Sequence, residues 1–303
     1  MLTQRPAATI DDLRTATELL SAAWRAGSPL VAGTPAAIEW WYALTNPDPL
    51  ADHLRLWYDE DRPIAWSWHE PPEIEWHVWS GERERDVAAF RTIVGTAAHE
   101  AGDGEVGVFA AEDDRASIEV LTALGFVAAG RQLSQFLCHP DDAPEPATLP
   151  DGYRIRGLRG ADEFPGRVAV HRAAFSRSRL DTEMYERLLA APHYRFEDDL
   201  VAEAPDGSLA AFALGWFDPD GRVAEFEPVG THPDHQRRGL ARALLTAGLD
   251  RFFDRGARTV QVYADAAEVP AEALYESIGF RRRAAHRRYA LRPAMPSPST
   301  IGA

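Results

Sequence analysis

Segments of this chain repeat one another at a fixed spacing. Val106-Gly-Val-Phe-Ala110 returns as Val260-Gln-Val-Tyr-Ala264, Leu124-Gly-Phe126 as Ile278-Gly-Phe280, and Leu137 as Leu291, each pair 154 residues apart. Ala22-Ala-Trp24 returns as Ala173-Ala-Phe175 at the nearby spacing of 151. One spacing kept across a strand, a helix and the next strand points to two copies of a unit of about 140 residues, not to chance recurrence of short apolar runs. The length of 303 residues accommodates two such units. The expected division is 1–140, a linker at 141–151, 152–292, and a loose tail at 293–303 that carries Pro, Ser and Gly. The proline-rich run from His139 to Pro150 suits neither a helix nor a central strand.

Charge narrows the partners. Lys+Arg total 32 against 47 Asp+Glu, a formal charge of −15. That argues against general nucleic-acid binding, which rests on neutralising phosphates, and is compatible with a cationic small substrate. Every Lys/Arg position is arginine. The one cysteine, Cys138, excludes an internal disulfide framework and abuts the linker, a poor place for a nucleophile. The start of the chain does not read as a leader, and no apolar run reaches about 18 residues. The expectation is a cytoplasmic protein away from membranes, monomeric or homodimeric.

The second copy reads as alternating elements of a mixed α/β layer fold. Strands are expected at 153–156, 199–203, 209–217, 223–229, 259–264 and 289–291, with Pro-Asp-Gly and Asp-Pro-Asp-Gly turns among them. Helices are expected at 162–175, 182–189, 239–254 and 270–277, the last opening on a proline. In the long helix Leu240, Leu244, Ala247 and Phe252 lie near one face, with Arg242, Thr246 and Asp250 off it, and Gly256 is placed to end it.

Between the strand at 223–229 and that long helix runs Val229-Gly-Thr-His-Pro-Asp-His-Gln-Arg-Arg-Gly-Leu-Ala241. A helix N-terminus offers unpaired N–H groups and a partial positive charge to an anion. Gln236, Arg237, Arg238 and Gly239 stand at this one, and glycine lets the backbone approach a phosphate closely. The plain alternative is an ordinary turn with a solvated basic start. Pro228 interrupts the strand, so a bulge is expected there, freeing backbone groups of Val229, Gly230 and Thr231 for an extended ligand.

Gln236-Arg-Arg-Gly239-Leu-Ala241 resembles the Q/R-x-x-G-x-G/A loop of the GNAT superfamily of N-acetyltransferases. Ala271-Glu-Ala-Leu-Tyr275-Glu-Ser-Ile-Gly279-Phe280 is similar to the A-x-x-L-Y-x-x-x-G-F ending of that family. Order and spacing agree over about residues 152–292. The resemblance implies two tandem GNAT-like domains and acetyl-CoA as donor, with coenzyme A as product. It places the pyrophosphate on the amides of Arg237, Arg238, Gly239, Leu240 and Ala241, and the pantetheine arm along the bulged strand. Where the family carries an asparagine seven residues before the tyrosine, Glu268 stands here. The tandem layout also resembles members that acetylate a cysteinyl amino-sugar.

Acetyl transfer to an amine needs a base for the ammonium, a polarised carbonyl and an acid for the departing thiolate. The resemblance puts Tyr275 near the sulfur as acid; the alternative is a core aromatic at helical spacing with Leu274 and Ile278. Glu225 and Glu227 share one strand face and are the candidate bases. Glu225 lies eleven residues before Gln236, where some members of the family carry a catalytic glutamate. A backbone amide near Val229 would polarise the carbonyl. His232 and His235 lack a third partner at ligand spacing, so no metal is expected. The arginines at 281–283, 287 and 288 read either as a solvated strand face or as contacts for the outer phosphate of the cofactor.

Carried back by 154 residues, the loop falls on Glu82-Arg-Glu-Arg-Asp-Val87 and Tyr275 on Leu121. The glycine is gone and acids replace the anion seat, so the first copy is expected to keep the fold without the cofactor site. It also holds eight of the nine tryptophans: Trp24, Trp40, Trp41, Trp57, Trp66, Trp68, Trp76 and Trp79. They either wall a substrate pocket or the joint between halves, or pack a core. The resulting expectation is an N-acetyltransferase acting on a primary amine of a small molecule or peptide. The rival is a non-catalytic acyl-CoA-binding sensor or partner module.

Overall fold

The computed structural model of the chain describes residues 2–28, 31, 33–45 and 49–292. The expected tail lies outside the described residues. The first half runs β1 (Leu2–Pro6), α1 (Ile10–Arg25), α2 (Pro35–Leu44), α3 (Leu50–His53), β2 (Leu54–Asp59), β3 (Arg62–Glu70), β4 (Glu73–Val78), α4 (Arg83–Ala101), β5 (Val106–Ala111), α5 (Arg115–Ala123) and β6 (Val127–Cys138). The second runs β7 (Arg154–Gly157), α6 (Phe164–Ala174), α7 (Thr182–Glu186), β8 (Asp199–Glu203), β9 (Leu209–Asp218), β10 (Val223–Thr231), α8 (Leu240–Asp254), β11 (Thr259–Asp265), α9 (Val269–Glu276) and β12 (Arg281–Leu291).

The strands form one mixed sheet in the order β1-β2-β3-β4-β5-β12-β6-β11-β10-β9-β8-β7. Each strand of the first half has its counterpart six strands later, and the order reads alike from both ends. The last strand of each half crosses over: β12 lies beside β5, and β6 lies beside β11.

Within each half the two parallel central strands pair briefly and then part. β10 meets β11 only at Val223–Glu225 against Thr259–Gln261. β4 meets β5 only at Glu73 and Ile74 against Gly107 and Val108. The expected bulge is present, since the register of β10 on β9 shifts between Phe226 and Val229. Pro228 has no N–H for the ladder, which is why the pairing breaks there. Beyond Glu225 the edge of β10 toward β11 is left open, and a wedge results.

α8 packs Leu240, Leu244, Leu245, Leu249 and Phe252 into the second-half core, each burial contributing roughly 1.5–3 kcal/mol. Thr246, expected off that face, is buried; its hydroxyl accepts the Ala147 N–H at 2.9 Å and so ties the linker to α8. The helix expected over 162–175 begins as a 3₁₀ turn and becomes α-helical at Phe164, with Pro165 in its first turn. The one over 182–189 tightens to 3₁₀ after Glu186. The last strand is much longer than expected. Three of the five arginines in the run that hid it are neutralised: Arg281 pairs with Asp142, Arg283 with Asp113, and Arg288 with Glu73 and Glu105.

Candidate active site

The corner between β10 and α8 is built for close backbone approach. Gly239 precedes α8 in the left-handed region (φ 79°), where an L side chain is strained. A methyl group added there would meet nothing within 4 Å, so the space outside it is open. Among the described residues, the N–H groups of Arg237, Gly239, Leu240 and Ala241 have no backbone acceptor. Unpaired first-turn donors are what an anion takes up at a helix start. Gln236, Arg237, Arg238 and Gly239 are exposed, Ala241 half-buried and Leu240 buried. Arg238 reaches the Tyr153 hydroxyl at 3.2 Å and the Asp234 carbonyl at 3.3 Å, while Arg237 has no side-chain partner among the described residues. The chain therefore fits a diphosphate at this corner.

Arg242 donates to the Ser277 carbonyl at 3.1 Å and to its hydroxyl at 2.6 Å, fastening α8 to the end of α9. Gly279 follows with φ +92°, and a side chain there would run into the Asp142 carbonyl. α9 carries Tyr275, 6% exposed, with its ring 5.9 Å from both Phe136 and Phe280. Burial first, then the charge of Glu227, holds its phenol well above the ordinary tyrosine range. Tyr275 is thus both a core aromatic and a neighbour of Glu227.

Glu225 and Glu227 line a cavity of about 1040 Å³ that joins the two wedges. Tyr263 and Asp265 of β11 line it from the second half; Glu75, His77 and Trp76 of β4 and Phe109 of β5 line it from the first. Trp41, Trp66 and Trp79 complete an aromatic wall, whereas Trp57 packs one first-half core, Trp68 another, and Trp40 a core shared with the second half. Tyr275 is not among the residues that line the cavity.

Glu225 is 1% exposed. Its Oε2 accepts a hydrogen bond from the Thr34 hydroxyl, and the Gln261 amide beside it also favours the ionised form, yet burial wins and raises its pKa. Glu227 is raised by burial, then by the charges of Glu225 and Glu75. The two carboxyls titrate as a pair, well above the ordinary carboxylate range. Glu75 is pushed up to about 7, by burial and then by Glu73. Burial lowers His77 and His286 to about 4, so these imidazoles are neutral. The arginines lining the cavity are engaged: Arg83 with Asp114 and Arg131 with Asp265. Such a cavity favours a cation and can hold or take up its proton.

At the matching corner of the first half, which opens onto the same cavity, the side chains are engaged with one another. Asp86 accepts the Ser80 N–H at 2.7 Å, and Arg83 is occupied by Asp114. His235 bonds the Tyr153 hydroxyl at 2.8 Å. Sequence reasoning missed Thr34, Glu75, Gln261 and Tyr263. Glu75 had a signal, since Glu73, Glu75 and His77 share one face of a strand flanked by tryptophans.

The sequence profile of the acetyltransferase (GNAT) family matches residues 168–280. A mycothiol acetyltransferase of Clavibacter sepedonicus is 31% identical over 224 residues, covering 72% of each chain. The chain belongs to the GNAT family of acetyltransferases. Another relative, the mycothiol acetyltransferase of Thermobispora bispora, is 29% identical over 79% of this chain and 84% of its own. Among solved structures, a GCN5-related N-acetyltransferase from Sphaerobacter thermophilus superposes with a TM-score of 0.64 at 16% identity, over 97% of both chains. A tandem GNAT protein from the clavulanic acid biosynthesis pathway superposes with 0.62 at 14% identity, over 98% of this chain and all of that one. The tandem mixed α/β architecture is therefore a GNAT architecture. GNAT enzymes take their acyl group from acetyl-CoA. No helix among the described residues is long and apolar enough to cross a membrane.

Proposed function

We propose that this GNAT enzyme acetylates a primary amine held in the cavity between its halves, with donor and acceptor meeting at Glu225 and Glu227. The observation that carries the reading is the carboxylate pair on the open side of β10, Glu225 buried and Glu227 half-buried, facing a large cavity and followed by a cradle of unpaired N–H groups. Acetyl-CoA supplies the thioester, its diphosphate held by the amides of residues 237–241 and the Arg237 guanidinium, its pantetheine along the open edge of β10 at Val229, Gly230 and Thr231. Glu225, poised near neutrality by burial, takes the proton of the acceptor ammonium; Glu227 shares the charge. Tyr275, kept protonated by burial, holds a proton for the leaving thiolate. Residues 1–140 serve as a module that has lost its own cofactor corner and supplies the acceptor wall, joined through 141–151 to the catalytic module at 152–292.

The narrower acceptor reading is a cysteinyl amino-sugar, supported by the names and coverage of the mycothiol acetyltransferase relatives. The experiment is acetyl-CoA titration together with thiol release over an amine panel that includes cysteinyl-glucosamine. Turnover should fall about 10²–10⁴-fold in Glu225→Gln and drop in Tyr275→Phe, with acetyl-CoA affinity retained in both. Acetyl-CoA binding without turnover on any amine would favour the sensor module instead.

A further inference from the structure

The Thr34 side chain is used in an unusual way. Thr34 stands at the N-cap of α2 with extended backbone (φ −119°, ψ 168°), a setting in which a threonine hydroxyl normally accepts an N–H of the first helical turn. Here it makes no capping bond. The hydroxyl, on a residue only 2% exposed, donates across the chain to Oε2 of Glu225, 191 residues away. A second support comes from the same half. Gln135 of β6 donates from Nε2 to Gln261 Oε1 at 2.6 Å and to the Val31 carbonyl at 3.3 Å. That contact fixes the Gln261 side chain next to Glu225.

We propose that Thr34 is a positioning residue for the base, and that the first half, besides walling the cavity, sets the orientation and proton affinity of Glu225. This rests on the reading of Glu225 as the base. A hydroxyl that donates to a carboxylate stabilises its charged form and fixes the free oxygen toward the cavity. Several groups bear on the titration. Glu227, on the same strand, is itself raised by the charges of Glu225 and of Glu75, on β4. Tyr263, on β11, is sensitive to all three carboxyls, and its hydroxyl lies 3.3 Å from Nε2 of the neutral His286 on β12. Thr34 and Gln261 are the groups that favour the charged state. The hydrogen bond thus keeps Glu225 from drifting to a still higher pKa, at which it would be protonated and idle at neutral pH.

The test compares Thr34→Val, which keeps shape and removes the donor, with Thr34→Ser, which keeps the donor. The carboxyl stretching band of Glu225, assigned by its loss in Glu225→Gln, is followed in infrared difference spectra of the full chain against pH, with no acceptor needed. In Thr34→Val the midpoint should rise by on the order of one pH unit, and Thr34→Ser should restore it. With acetyl-CoA and cysteinyl-glucosamine, the acid limb of kcat/KM should move by the same amount while acetyl-CoA affinity stays unchanged. An unshifted midpoint in a folded Thr34→Val protein overturns the proposal, as does a Thr34→Ser variant that behaves like the valine form. Full turnover in Glu225→Gln would instead remove Glu225 as base and leave the shift as an electrostatic fact only.

Discussion

The backbone cradle at the start of α8 can be probed by adding one methyl group, in Gly239→Ala. Gly239 sits at φ 79°, ψ 6°, where an L-residue costs about 1–2 kcal/mol. The new Cβ meets nothing within 4 Å, so the free protein gains no clash. If the loop keeps its shape, thermal stability falls by about 2–4 °C per kcal/mol, and the methyl enters the space assigned to the diphosphate. If it relaxes, the N–H groups of Leu240 and Ala241 aim elsewhere. Either route weakens coenzyme A binding by roughly 5–30-fold for 1–2 kcal/mol. Calorimetric titration with coenzyme A and, separately, with pantetheine isolates the effect, because pantetheine lacks the diphosphate. Pantetheine affinity should be unchanged. Wild-type affinity of Gly239→Ala for coenzyme A, or an equal loss for both ligands, would show that this corner does not hold the diphosphate.

Three further outcomes follow from the same geometry. Glu75 has a folded-state pKa of about 7 against an ordinary 4.5, so the native state binds more protons than the unfolded state between those values. Its contribution to stability is therefore greatest at acid pH and is lost as pH rises through that window; Glu75→Gln should flatten part of the fall in melting temperature between pH 5 and about 8, and an unchanged slope contradicts the assignment. Asp199→Ala strands the wholly buried Arg167, whose Nε donates to Asp199 Oδ1 at 2.9 Å, and should cost about 3–5 kcal/mol in urea unfolding; a loss below about 1 kcal/mol would show that Phe212, 3.8 Å from the guanidinium, suffices. Trp79→Ala should raise the acceptor KM several-fold and leave acetyl-CoA affinity alone, whereas parallel changes in both would place Trp79 outside the acceptor wall.

The fold was legible where periodicity and punctuation agreed. Pro228 marked the bulge, Gly239 the helix entry, and the 154-residue spacing the duplication, because each follows from local backbone rules. Elements whose stability comes from partners far along the chain were not legible. The charged run at 281–288 conceals a strand, since the carboxylates that neutralise it come from residues 73–142. Thr246 looked solvent-facing because the linker that covers it is a hundred residues away in sequence. The same reason explains the site. Glu225 and Glu227 could be read from one strand, but the hydroxyl of Thr34, the carboxyl of Glu75 and the aromatic wall reach them only through the crossing of β6 and β12 between the halves.

In the proposed arrangement one half carries the donor and the other encloses the acceptor, the two meeting at Glu225. A crystal structure with coenzyme A tests it most directly. The diphosphate is expected on the N–H groups of residues 237–241, the pantetheine beside Val229 and the thiol at the mouth of the cavity near Glu227 and Tyr275. A nucleotide lodged between β4 and β5, with the α8 corner empty, would contradict it.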